Sequence, residues 1–368
     1  MLVKTDNNLS GLKRRIDLSQ PQQNTADGTV SPIIDKFHRS LLALRISVTD
    51  RCNHRCPYCM PKESFSKSYS FIPYEEYLSF EEIATLARAF VSLGVVKIRL
   101  TGGEPLLRPR ISELIRMLKE IDGLEDLALT TNGSLLAKHA AELKSAGLNR
   151  LTVSLDSVDP NIFKTMSGGA GDLNDIFTGI TEAEKAGFNQ IKINAIAQKG
   201  LNPDDILNLV RQFKGTNHIL RFIEYMDAGN CNGWRKENVL SSEEILKLIN
   251  QTFPLKRLNP NYPGEVARRY QFIDGNGEIG LISSITQPFC QDCTRMRLSA
   301  DGKLYNCLFA ENGLDIKKAL RQNSSKEDFI SAIVNLWKDR EDRYSQLRNE
   351  LQALNKVPQK IEMFAIGG

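Results

Sequence analysis

Leu44-Arg45-Ile46-Ser47-Val48-Thr49, followed after two residues by Cys52-Asn53-His54-Arg55-Cys56-Pro57-Tyr58-Cys59, decides how the rest of this chain is read. The first run alternates apolar and polar side chains with the period of a β-strand. The second places three thiols at C-x3-C-x2-C spacing in the loop after that strand, where α/β folds carry their chemistry. Three cysteines on one loop suit three irons of a cubane iron–sulfur cluster and leave the fourth iron open to a small molecule. A structural zinc site is the plainer alternative, but it wants four protein ligands, usually paired C-x2-C knuckles, and His54 is poorly placed as the fourth. Three unrelated thiols are the blandest reading. The spacing favours the cluster.

Working outward, strand-like runs at 44–49, 96–100, 126–130, 150–155, 190–197 and 219–225 alternate with helical ones. Ser79-Phe80-Glu81-Glu82 is a capping box opening a helix that ends near Gly94. Pro109 is expected to start a helix through Ile121, and Gly147 and Gly187 read as helix stops. One face of the strands is apolar (Leu44, Ile46, Val48, Ile98, Leu100, Leu151, Val153, Ile193). The other carries Arg45, Ser47, Lys97, Arg99, Thr152, Ser154, Asp156, Lys192 and Asn194. A doubly wound sheet is buried on both faces and would read as continuous apolar runs. The expected fold is therefore α/β, an incomplete (β/α)6 TIM-type barrel with a polar lumen, and its Arg and Lys content predicts an anionic occupant.

After Tyr225 the pattern changes to a C-terminal α+β extension. A loop with Cys231 and Trp234 leads to a second capping box, Ser241 to Glu244, then hairpins at 268–283 and 295–308. Residues 313–355 read as amphipathic helix, and the chain ends Ile366-Gly367-Gly368. The predicted domains are a polar, disordered extension (1–40), the barrel (41–228), the C-terminal domain (229–355) and a mobile tail (356–368). Ser167-Gly168-Gly169-Ala170-Gly171 reads as a flexible loop.

Composition narrows the function classes. Lysine plus arginine (48) barely exceeds aspartate plus glutamate (44), which argues against wholesale nucleic-acid binding and leaves room for a local anion site. No apolar run approaches the ~18–20 residues of a membrane span, and the N-terminus lacks a secretory apolar region. Six of seven cysteines fall into two groups of three, which indicates metal chemistry in a reducing, cytoplasmic compartment and not a disulfide scaffold.

The second group, Cys290-x2-Cys293-x13-Cys307, suits a zinc-binding hairpin as well as a second cluster. Cys231 is either a fourth ligand there or a lone thiol. Arg295 and Arg297 flank Met296 on a strand, so both guanidiniums face one side, and a planar fork matches phosphate oxygens. Next to a metal loop this pair outweighs the usual reading of a solvated face. In Thr101-Gly102-Gly103-Glu104-Pro105 the glycines let backbone approach a ligand closely, and Glu104 offers a carboxylate to an amino group.

Cys52–Cys59 followed by Gly-Gly-Glu-Pro resembles the radical S-adenosylmethionine superfamily. With the second triad and Arg295-Met296-Arg297-Leu298-Ser299, the chain from about Leu41 to its end resembles the GTP 3′,8-cyclase family of molybdenum-cofactor biosynthesis. The resemblance implies two 4Fe-4S clusters, on Cys52, Cys56 and Cys59 and on Cys290, Cys293 and Cys307. It implies S-adenosylmethionine contacts at Tyr58, Gly103, Ser154 and Met226. It further implies GTP contacts at Arg45, Arg99, Thr130, Lys192, Arg295, Met296 and Arg297, with Arg295, Arg297, Gly367 and Gly368 serving catalysis. Implied partners are an electron donor, a second copy in a homodimer and cyclic pyranopterin synthase downstream, with no nucleic acid and no membrane. No G-x4-G-K-[ST] loop is present, so the basic lumen would hold the nucleotide. Two readings compete: another radical S-adenosylmethionine enzyme with an auxiliary cluster, such as a peptide-modifying one, and a non-catalytic zinc or nucleotide-sensing module.

Overall fold

Six strands alternate with helices as the periodicity predicts: β1 (Ala43–Ser47), β2 (Lys97–Thr101), β3 (Asp126–Thr131), β4 (Arg150–Ser154), β5 (Lys192–Ala197) and β6 (Ile219–Glu224). The computed structural model describes residues 32–262, 264–322 and 326–368, all within one unit. The predicted disorder of residues 1–31 lies outside the described residues. Each strand pairs in parallel with its neighbour in sequence. The connecting helices are α1 (Phe80–Ser92), α2 (Ile111–Lys119), α3 (Leu136–Ser145), α4 (Pro160–Met166), α5 (Leu173–Lys185) and α6 (Ile206–Phe213). Parallel crossovers are right-handed. When all of them advance in one direction, every helix lands on the same face of the sheet, which is barrel winding and not the reversing order of a doubly wound sheet. The covered face is the apolar one: Leu44, Ile46, Ile98, Leu100, Leu127, Leu129, Val153, Ile193 and Phe222 are buried with Phe90 and Leu114 of the helices. Slipping any strand by one residue would bring its polar or charged side chains into this core, so the pattern also fixes the register.

The region after β6 does not form a separate layer. Its α7 (Ser242–Thr252) is followed by β7 (Leu255–Arg257), β8 (Arg268–Phe272), β9 (Glu278–Ile282), β10 (Arg295–Leu298), β11 (Lys303–Tyr305) and β12 (Leu314–Asp315). β9 adds in parallel beside β6, and β10 adds in parallel beside β1. The resulting order is β12-β11-β10-β1-β2-β3-β4-β5-β6-β9-β8-β7. The predicted C-terminal extension therefore widens the barrel sheet on both flanks, and the 283–294 segment, with Cys290 and Cys293, runs from one flank to the other.

Several expectations are corrected. Residues 32–40, assigned to the polar extension, are packed: Ile33, Asp35 and Arg39 are buried, and Ile34 bridges Ser40. Helix α2 starts after Arg110, not at Pro109, because Arg110 adopts a left-handed φ of 58° that cannot continue a helix. The predicted helix over 313–355 is β12 followed by α8 (Ile316–Arg321), α9 (Lys326–Lys338) and α10 (Tyr344–Ala353). The 339–343 break lets the buried Arg340 turn inward and donate to Cys293 O at 2.8 Å. The tail, expected to be mobile, forms α11 (Met363–Ile366), with Phe364 buried against Met60 and Phe65. Among the described residues no helix is long and apolar enough to cross a membrane.

Glu224, fully buried at the end of β6, joins the barrel to α7 and to the segment after β9. It accepts from Ser242 N at 2.7 Å, Ile285 N and Thr286 N at 2.8 Å, and Thr286 Oγ1 at 2.6 Å. Hydrogen bonds to a charged acceptor contribute roughly 1.5–3 kcal/mol each and leave costly orphans when broken. Glu224→Ala is expected to lower stability by about 3 kcal/mol or more in urea titration, and Glu224→Gln by clearly less.

Candidate active site

The thiol loop leaves β1 and is wedged between two glycine-bearing loops. A Cβ on Gly102 would meet Thr49 O at 2.4 Å, and one on Gly103 would meet Arg51 O at 2.2 Å, so only glycines admit this approach. On the other side Arg55 N donates to Ser167 O at 3.0 Å, and a Cβ on Gly168 (φ +71) would fall 1.9 Å from Arg55 O. The 167–171 loop is thus a backbone brace for the thiols and not the flexible loop predicted. His54 is buried between Phe163 and Gly171, and burial lowers its pKa to about 4. Burial raises the thiols too, Cys52 to about 11, with Cys56 and Cys59 also pushed up.

Two carboxylates tie this loop to the strand ends. Tyr58 donates to Asp156 Oδ2 at 2.7 Å while Ile196 N donates to Oδ1 at 2.8 Å. Burial lifts Asp156 to about 6 against those hydrogen bonds. Glu104 accepts from Asn132 N, Thr131 Oγ1 and Leu106 N at 2.7, 2.8 and 3.0 Å. Three acceptor positions of its carboxylate hold the β3 end and one on Oε2 is left; burial raises it to about 7.

Below these loops runs a wall of cations. The register sets Arg297 beside Arg45 and Arg45 beside Arg99. Arg99 donates to Thr130 Oγ1 at 2.9 Å and Thr152 Oγ1 at 3.0 Å. Thr152 is level with Lys192, and Asn194, level with Arg221, accepts from Arg221 Nε at 2.9 Å. Burial, then mutual repulsion, depresses the row: Arg99 and Arg297 to about 10, Arg221 to about 9, Lys192 to about 7, and Arg45 well down. Within the described residues the C-terminus meets this wall. Arg297 donates to Gly367 O, and to Ile366 O at 3.2 Å, and Arg45 donates to Gly368 O at 2.7 Å. Gly367 takes φ +73 with its Cα against Thr101, where a Cβ would come to 2.3 Å.

The second triad lies at the other end of the strands. Leu42 N and Ala43 N, at the start of β1, both donate to Thr294 O at 3.1 Å, so Cys293 sits below the wall while Cys52 sits above it. Cys307 follows β11, which runs antiparallel to β10 and returns the chain to the same end. Arg295 Nη2 lies 3.7 Å from Cys293 Sγ. Burial would raise Cys293, but Arg295 and Arg340 outweigh it and bring it to about 6, whereas burial lifts Cys307 to about 12. Each triad has a backbone N–H on a sulfur, His54 N to Cys52 Sγ at 3.4 Å and Phe309 N to Cys307 Sγ at 3.5 Å. Such bonds tune iron–sulfur clusters. Among the described residues no three His, Cys, Asp or Glu side chains converge on one common ion; a cubane binds its thiolates at separate corners and asks for a spread set. The donor sets fit two clusters.

Residues 46–213 match the Radical SAM superfamily, and residues 218–346 match Molybdenum Cofactor Synthesis C. A GTP 3′,8-cyclase of Xanthomonas campestris pv. campestris is 48% identical over 93% of this chain and 99% of its own length. The chain belongs to the GTP 3′,8-cyclase family. Members from Acidothermus cellulolyticus and Staphylococcus saprophyticus are 50% and 45% identical, over 86% and 92% of this chain and 89% and 100% of theirs.

For a GTP 3′,8-cyclase the predicted residues divide by level. Tyr58, Gly103 and Ser154 lie at the upper strand ends, and Met226 follows β6 and packs with Ala228, Phe309 and Met363. Arg45, Arg99, Thr130, Lys192, Arg295 and Arg297 share the wall, while Met296 between the last two is fully buried in the core. Cys231 is exposed beside Ser64 and Glu362. Sequence reasoning missed Arg221, although it continues the polar alternation of β6. It also missed the Asp227 anchor, which takes Lys360 Nζ at 2.9 Å and Arg348 Nε at 2.8 Å and so fastens the tail; no sequence spacing signals that pairing.

Gly168→Ala is expected to strip iron from the first triad because its Cβ strikes backbone. Gly200→Ala carries a similar φ of +77 with nothing within 4 Å and should cost only about 1 kcal/mol of strain, with iron retained. Iron content and thermal unfolding of the two variants compare contact against strain.

Proposed function

We propose that this chain is a radical S-adenosylmethionine enzyme that converts GTP to 3′,8-cyclo-7,8-dihydro-GTP, the first step of molybdenum-cofactor biosynthesis. The observation that carries the substrate is the set Arg297, Arg45, Arg99, Lys192 and Arg221, gathered on one wall between two thiol triads. Cys52, Cys56 and Cys59 would hold the 4Fe-4S cluster whose electron cleaves S-adenosylmethionine to a 5′-deoxyadenosyl radical. Cys290, Cys293 and Cys307 would hold the second cluster, at the guanine end.

The chain's own residues bind and orient. Tyr58, Gly103, Ser154 and Met226 contact S-adenosylmethionine, Gly103 by its bare backbone and Tyr58 in a position set by Asp156. Arg45, Arg99, Arg295 and Arg297 take the triphosphate, and Thr130 and Thr152 aim Arg99. Because the new bond joins C3′ to C8 within one GTP, rate depends on fixing that molecule's conformation before the radical finds another hydrogen. Gly367 and Gly368, docked on Arg297 and Arg45, close the wall and help exclude water. The reading also takes in an electron donor, a homodimer and cyclic pyranopterin synthase as the next enzyme.

Anaerobically reconstituted protein with S-adenosylmethionine, GTP and a strong reductant should give 5′-deoxyadenosine together with a GTP isomer by mass spectrometry. Arg297→Ala should lower product formation at least a hundredfold. Deoxyadenosine with GTP unchanged would leave the radical chemistry and reject the substrate.

Lys192 makes a second, separate prediction. Its folded pKa of about 7 lies below the ordinary 10.5. Between these values the unfolded chain binds more protons, so this group's burial penalty is full below pH 7 and relaxes as pH rises through 7 to 10. An anion on the wall restores the charge. GTP binding at pH 8 should take up close to one proton, read by calorimetry in buffers of different ionisation enthalpy, and Lys192→Met should abolish it.

A further inference from the structure

Asp35 and Arg39 lie before both family-matched regions, yet they reach the second triad. Arg39 Nη1 donates to Cys290 O at 2.9 Å and to Asp342 O at 2.8 Å. Arg340 Nη1 donates to Cys293 O at 2.8 Å. Asp35 Oδ2 lies 2.5 Å from Arg39 Nε and 3.4 Å from Arg340 Nη1. Trp337, fully buried, donates to Arg39 O at 3.0 Å and lies 4.5 Å beneath the Arg340 guanidinium. The three charged residues are at most 5% exposed.

Their charges do not cancel. Two buried guanidiniums share one buried carboxylate, and Asp342, 3.8 Å from Arg340 Nε, is one-third exposed. Among the described residues Arg39 Nη2 and Arg340 Nε have no hydrogen-bond partner. A buried cation left unbalanced is costly unless an anion stands nearby. Three thiolates around a 4Fe-4S cluster supply a net negative group, which becomes more negative on reduction.

We infer that Asp35, Arg39 and Arg340 form a positioning bracket that holds the Cys290–Cys293 loop by its carbonyls and sets the reduction potential of the cluster there. This rests on the second-cluster reading of Cys290, Cys293 and Cys307. The bracket's residual positive charge favours the reduced cluster, since the interior screens weakly.

The test uses full-length protein with Cys52, Cys56 and Cys59 all changed to alanine, so that only the second cluster remains, followed by anaerobic potentiometric titration read by electron paramagnetic resonance. Arg340→Met should shift the potential downward, Asp35→Asn upward, and Arg340→Lys should stay near the parent. Opposite shifts distinguish electrostatic tuning from bracing, because a structural brace would lose iron in both variants. Equal iron loss, shifts of one sign or an unmoved potential would overturn the inference. A parent that takes up no iron at all would instead reject the second cluster itself.

Discussion

A row of partly buried cations side by side, with too few carboxylates among the described residues to match them, is the constraint on which this molecule turns. Arg297, Arg45 and Arg99 occupy one register row of three adjacent strands, and Lys192, level with Thr152, and Arg221, level with Asn194, lie further along the same face of the sheet. Nothing about a β-sheet favours this arrangement; it costs stability through desolvation and repulsion. The fold tolerates it because the opposite face is continuous Leu, Ile and Val packed by helices. An anion bound there would remove most of that cost.

The tail shows how the chain manages that wall. Gly367 presents its peptide carbonyl oxygen to Arg297 and Gly368 an oxygen to Arg45, and the tail is fixed upstream by Lys360 on Asp227 and by Glu362 on Asn230 N at 3.0 Å. Glycine also fits where Thr101 leaves no room for a Cβ.

Much of this is legible in the sequence for one reason: alternation in β1, β2, β4 and β5 separates a core face from a lumen face, and every predicted cation falls on the second. The six β/α units and both hairpins come from the same period and from their turn residues. The features that escape a sequence reading are set by tertiary contact. Asp35 and Arg39 lie at the far end of the sequence from Arg340, 305 residues from Asp35, and each alone reads as surface charge. Gly168 and Gly171 read as slack because their left-handed angles matter only against Arg55 O and the His54 ring. The 313–355 periodicity hides the break at 339–343, since the apolar rhythm resumes after it.

In the sequence the two triads look equivalent, but the strand direction separates them. Catalytic loops of barrel enzymes gather at the C-terminal ends of the strands, and the opposite end usually serves stability. Here the first triad obeys the rule and the second does not, because Thr294 O binds the first residues of β1. The C-terminal strands come in parallel to β1 and β6, so the 283–294 segment must return from the upper end of β9 to the lower end of β10. That return carries Cys290 and Cys293 to the floor of the lumen. β1 has five residues, roughly 15 Å at the usual rise per residue. The lumen is therefore about as long as a nucleotide, with thiols at each end and cations between. On the proposed reading, a substrate anchored at one end would be held at the other, which is the restraint that intramolecular bond formation requires.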